Sequence, residues 1–180
     1  MKKLFAILIL IVSPYATAQV NETITWQGRA AVGGYAPEGT LEIMDASATL
    51  EDDNLIKLSV VVDMRTLEQE NTQLRDHLRR EDFFHVKKFP VATFILEGPV
   101  TISNDSVDLK GKMTIRGITS EENIKARINV ENNRIEISFD HTMNRLTYGI
   151  TYNSPTVFEK LKENAIADEF RLRGTIRIPN

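Results

Sequence analysis

The chain has 180 residues, 22 Lys+Arg against 25 Asp+Glu, 42% hydrophobic residues and no cysteine. That length carries one domain with a sizeable core, and the apolar content excludes a disordered chain. A formal charge of −3 gives no general attraction to nucleic acid, and the lack of cysteine excludes a disulfide framework, a thiolate metal site, a cysteine nucleophile and a thioether-linked lipid.

The first residues read as an export signal. Met1-Lys2-Lys3 is a basic start, Leu4 to Val12 is unbroken apolar sequence, and Ala16-Thr17-Ala18 has the small-x-small form of a cleavage site. A membrane anchor is the alternative, but a helix over this run spans roughly 14 Å against about 30 Å of hydrocarbon, and Pro14 interrupts any extension. Residues 1–18 are therefore expected to be removed before Gln19. They carry Lys2 and Lys3 as their only charges, so the formal charge falls from −3 to −5 over the mature residues 19–180. In a Gram-negative host the destination is the periplasm.

From Ile24 onward the apolar residues recur with period two. Ile24, Trp26, Gly28, Ala30 and Val32 form one face, and Gly39 to Leu50 has strand composition. Ile56 to Met64, Ala92 to Leu96, Val107 to Ile115, Ile124 to Val130, Ile135 to Phe139 and Phe170 to Ile178 repeat the pattern. Alternation puts the apolar side chains of each strand on one face and the polar ones on the other. The connectors are polar and turn-rich: Glu51 to Asn54, Ser103 to Asp105, Gly117 to Glu122 and Asn132-Asn133. About eight antiparallel strands follow, forming a closed barrel or a two-sheet sandwich. Two segments depart from the period. Leu74 and Leu78 lie four apart within Thr72 to Arg80, which predicts two helical turns. Ser154-Pro155 is a helix-start signal, and Val157, Phe158, Leu161 and Ala165 then share a helical face. The expectation is one all-β domain with two short helices.

Signatures of phosphate cradles and serine-elbow chemistry are missing, and Gly33-Gly34 reads as a turn. His77, His85 and His141 have no metal-ligand spacing, so no metal or cofactor is implied and no catalytic residue is assigned. Two stretches stand out. Asp82 to Pro90 contains Phe83, Phe84 and Phe89, and reads first as a plug for a barrel end and second as an apolar gate beside a ligand mouth. Asn144 to Ile150 offers Arg145 and Tyr148 to orient a headgroup, or an Arg that simply bonds backbone carbonyls.

His77-Leu78-Arg79-Arg80-Glu81-Asp82-Phe83-Phe84-His85-Val86-Lys87-Lys88-Phe89-Pro90-Val91-Ala92-Thr93-Phe94 resembles the motif of the YceI-like family, approximately H-L-x-x-x-D-F-F-D-V-x-x-Y-P-x-A-T-F. Leu109 to Thr119 is similar to its G-x-L-T-I-x-G-V-T hairpin, and Asn144 to Ile150 to its R-x-x-Y-G segment. Asp63-Met64 and Asp168-Glu169-Phe170 also fit. The sequence departs from the family at His85, where Asp is usual, and at Phe89, where Tyr is usual; Thr119-Ser120-Glu121 lacks the basic residue common after Thr.

The resemblance implies a lipocalin-like eight-stranded antiparallel barrel holding a long isoprenoid or other lipid chain, typically in the bacterial periplasm. The inward faces then suggest Phe94, Leu96, Met113, Ile115, Ile128, Ile137, Phe139 and Leu172 as lining, with Phe83 and Phe84 beside the mouth and Arg145 and Tyr148 at the headgroup. Other readings stay open at this stage. One is a filled barrel serving stress or partner binding without a dedicated ligand. Another is an enzyme on a lipid or quinone-like substrate using Arg145, Tyr148 and His141. A third, an outer-membrane barrel, fits poorly with aromatic residues at 7% and concentrated in one cluster. Neither nucleic acid nor stable membrane insertion is expected, and the oligomeric state is open, a homodimer included.

Overall fold

The computed structural model describes residues 22–103, 105–158 and 164–179. The export signal expected over residues 1–18 lies outside them. Within the described residues the period-two pattern of the sequence becomes a period-two pattern of burial. Strand β4 (Val91–Leu96) buries Ala92, Phe94 and Leu96, and the strand Val107–Ile115 buries Leu109, Gly111, Met113 and Ile115 while exposing Asp108, Lys110 and Lys112. In chain order the strands are β1 (Thr23–Gln27), β2 (Glu38–Glu51), β3 (Asn54–Glu68), β4, β5 (Val100–Thr101), β6 (Val107–Ile115), β7 (Ile118–Glu131), β8 (Arg134–Asn144) and β9 (Glu169–Pro179).

All pairings are antiparallel. The strands run β2-β1-β9-β8-β7-β6-β4-β3, and β2 pairs back onto β3, so eight strands close into a barrel while β5 is a two-residue clip on β3. Closure settles the choice between barrel and sandwich, and leaves no long unpaired edge. The outer faces carry Lys110, Lys112, Lys125, Arg127, Arg171 and Arg177. That is the reverse of a transmembrane barrel, whose apolar band faces lipid.

Three boundaries differ from expectation. β1 stops at Gln27, and beyond it only Ala30 makes a bridge, to Ile166. The connector expected over Gly117 to Glu122 is in fact a two-residue turn at Arg116-Gly117, with φ of 53° and 73°, and β7 starts at Ile118. Positive φ at both central residues suits the twist of flanking strands, as at Asn132-Asn133. The first helix forms as α1 (Thr72–Leu78), capped by Asn71, whose side chain accepts from the Gln73 and Leu74 amides at 3.0 and 3.1 Å. At the second, Ser154 Oγ accepts from the Val157 amide at 3.3 Å and residues 155–157 form a turn. Most of that predicted helix falls on residues 159–163, outside the described ones.

Three long connections emerge at one end of the barrel, which also carries the Arg116-Gly117 turn. Residues 28–37 join β1 to β2, α1 and residues 79–90 join β3 to β4, and residues 145–168 join β8 to β9. The opposite end has the tight turns at 52–53 and 132–133, and there Leu55, Leu96, Ile135 and Ile178 are buried and close the interior.

Candidate functional site

The barrel interior is hollow towards the end with the long connections. A cavity of about 230 Å³ is walled by inward residues of all eight barrel strands and by the cover over them, and its surface is almost wholly apolar. Ile24, Ile43, Leu58, Val60, Ile124 and Ile176 form its deeper part. Leu74 and Leu78 of α1, with Phe83 and Phe84 from the following segment, cover the β3–β4 side. Exposed lining residues mark the mouth: Arg29 and Tyr35 from the β1–β2 connection, and Glu169 at the start of β9. An apolar void of about 150 Å³ already takes a benzene-sized molecule, so this one is large enough for part of a hydrocarbon chain.

Of the residues proposed as lining from sequence, Phe83, Phe84, Phe94, Met113, Ile115, Ile137, Phe139 and Leu172 are in the wall. Leu96 and Ile128 are buried but not in the wall. Alternation reports the face of a strand and not the depth along the barrel axis, and these two pack outside the hollow part. Phe83 is both plug and lining: it is buried, and its ring lies 5.3 Å from that of Tyr152 and 5.2 Å from that of His77.

Arg145 borders the cavity but is spent on the backbone. Its Nε donates to Ala167 O (3.0 Å), one terminal nitrogen to Ile150 O (2.9 Å) and Tyr152 O (2.8 Å), and the other to Ile166 O (2.9 Å). That second nitrogen also sits 3.2 Å from Asp168. Burial pulls the guanidinium's pKa down, and the charge of Asp168 opposes it. Burial works against ionisation of Asp168 as well. Hydrogen bonds from Ser154 and Thr156 and the Arg145 charge outweigh it and hold the carboxyl below its usual value. The group expected to orient a headgroup is therefore a clamp that ties residues 150–152 to residues 166–168.

Tyr148 has 0% exposure and lies outside the cavity wall. It is a phenol held in the protein interior, donating to Glu122 Oε1 at 2.7 Å, and burial followed by the Glu122 contact pushes its pKa up. The other oxygen of Glu122 is 3.0 Å from His141 Nε2. Glu122 and His141 occupy inward positions of β7 and β8, and His141 is in the cavity wall. Glu122 falls in a polar stretch with the composition of a connector, so no sequence pattern singles it out, and His141 enters from sequence as a histidine without metal-ligand spacing and in the enzyme reading. Strand period alone would have recovered the missed wall residues of β1 to β3. Among the described residues, no three His, Asp or Glu side chains converge as metal ligands.

A family model described as the YceI-like domain matches residues 15–178. The chain belongs to the YceI-like family. Among curated relatives, the UPF0312 protein PA0423 of Pseudomonas aeruginosa is 32% identical over 92 residues, covering 50% of this chain and 48% of that protein. Protein YceI of Salmonella arizonae is 28% identical over 92 residues, with the same coverage. The chain thus spans about half the length of the curated relatives it matches. BcnA of Burkholderia cenocepacia aligns with a TM-score of 0.71 at 14% identity, covering 87% of this chain and 96% of that one. A polyisoprenoid binding domain from Saccharophagus degradans, implicated in plant cell wall breakdown, aligns with a TM-score of 0.65 at 11% identity, covering 89% and 95%. At these identities the YceI-like neighbours share the barrel.

Proposed function

We propose that this YceI-like barrel binds a long isoprenoid or other lipid chain, its tail in the apolar cavity and its polar end at the mouth, as a carrier or sequestering protein. The observation that carries the reading is the hollow itself: eight strands turn their apolar faces onto a void lined by Ile, Leu, Met and Phe side chains, open beside Arg29, Tyr35 and Glu169. Each methylene that leaves water for such a void contributes about 0.8 kcal/mol, so a chain gains affinity with length. The polyisoprenoid named for the Saccharophagus degradans neighbour is a ligand of that shape. The enzyme reading loses two of its three residues, since Arg145 is bonded to four carbonyls and Tyr148 is held by Glu122 outside the cavity wall. The polar exterior supports a protein that acts beside a membrane without inserting into it.

Export to the periplasm belongs to the same proposal. It rests on the layout of residues 1–18, and N-terminal sequencing of the processed protein should begin at Gln19. The test of ligand binding is to purify the protein from its own host without detergent, extract it with organic solvent and identify the extract by mass spectrometry. One dominant long-chain lipid near one per chain is the expected result. A substoichiometric, random mixture would favour a barrel without a dedicated ligand.

A further inference from the structure

The cavity wall contains one imidazole, and its surroundings fix what that imidazole offers. His141 lies directly opposite Leu172 in the β8–β9 ladder, and Leu172 lies opposite Trp26 in the β1–β9 ladder, so these three share one layer of the barrel just below the mouth residues Glu169 and Phe170. His141 Nε2 is 3.0 Å from Glu122 Oε2, and the second oxygen of Glu122 accepts from Tyr148 at 2.7 Å. A carboxylate only accepts, so in the neutral ring Nε2 carries the proton and Nδ1 is left as a lone-pair acceptor. Nδ1 has no hydrogen-bond partner among the described residues.

We infer that His141 reads the polar end of the bound chain, accepting a hydrogen bond from a hydroxyl; the preferred ligand class is a long-chain isoprenoid alcohol or phenol rather than a phosphate ester. This rests on the lipid-binding reading and adds the chemistry of the head. An anionic head is disfavoured on the same geometry. Glu122 stands behind the ring, Glu169 stands at the mouth, and the buried cation Arg145 is already committed to carbonyls and Asp168. Arg29 is the remaining cation in the wall, and it is exposed.

The experiment measures binding of farnesol, farnesyl methyl ether and farnesyl monophosphate to the solvent-extracted protein at pH 8. One neutral hydrogen bond in a dry site is worth about tenfold in affinity, so the alcohol should bind about tenfold more tightly than the ether. His141→Leu should lower the alcohol to the level of the ether while leaving the ether unchanged. His141→Gln keeps a donor for Glu122 and an acceptor for the ligand, and should keep the preference. Glu122→Gln has a distinct signature. Its amide donates to Nε2 and moves the ring proton to Nδ1, so the ether should rise to match the alcohol. If His141→Leu fails to fold, as read by near-ultraviolet circular dichroism, the two glutamine variants decide the matter. Equal binding of alcohol and ether to the unaltered protein, or tighter binding of the phosphate, overturns the assignment and leaves chain binding standing. If none of the three binds, the lipid-binding reading falls with it.

Discussion

Ala92→Phe separates a hollow barrel from a solid one by the sign of a stability change. Ala92 is buried on β4, opposite Val62 of β3, and both line the cavity. The substitution adds a benzene-sized group, and the void of about 230 Å³ exceeds the roughly 150 Å³ that accepts such a group. Burying a Phe side chain contributes about 1.5–3 kcal/mol, and ordering it costs back roughly 0.5–1 kcal/mol. A net gain of about 1–2 kcal/mol raises Tm by roughly 2–8 °C in a chain of this size. Forcing the same ring into a filled core would instead cost about 1–3 kcal/mol. Differential scanning calorimetry of solvent-extracted protein gives the sign, and binding of a fluorescent fatty chain to the same sample gives the second readout. The expected result is a raised Tm with loss of chain binding. A lowered Tm, or a raised one with binding intact, refutes the hollow wall at this position.

Arg145→Met should cost about 3–5 kcal/mol in urea denaturation, because it leaves the Ile150, Tyr152, Ile166 and Ala167 carbonyls without their donor and Asp168 without its countercharge; a change under about 0.5 kcal/mol, the level of an ordinary surface substitution, would show the clamp to be idle. Asp168 has its pKa lowered in the fold, so its stabilisation is present above the unfolded value near 3.9 and is lost as pH falls through the folded value. Tm should therefore drop more shallowly below about pH 4 in Asp168→Asn than in the unaltered protein, and parallel curves would count against that role. Gly39→Ala should destabilise by about 1–3 kcal/mol, since the added methyl meets the Glu68 carbonyl and lies 2.7 Å from Trp26 Cζ2. Trp26 is the single tryptophan of the chain, so its emission reports the displacement directly; unchanged emission and Tm would refute the contact.

The strands were legible because each has one buried and one wet face, which is all that period two encodes. The start of β7 was not. Ile118-Thr-Ser-Glu-Glu122 has the polar composition of a loop, yet it continues the ladder opposite β6, and its inward Glu122 is tolerated because Tyr148 and His141 bond it. Leu96 and Ile128 show the other limit: sequence assigns a face, whereas depth along the axis depends on register and on where the hollow stops. Arg145 could be read as a headgroup ligand or as a backbone clamp. Its partners come from residues 150–167, whose path no local pattern announces, so only coordinates could decide between the two.

Placing three long connections on one rim and the tight turns at 52–53 and 132–133 on the other divides the molecule into a changeable half and a constant half. Grafted segments between residues 28 and 37 could rewrite what the opening admits without disturbing the staves. A fluorophore or tether fused at Asn132-Asn133 would sit at the far pole, reporting on the vessel without obstructing its contents.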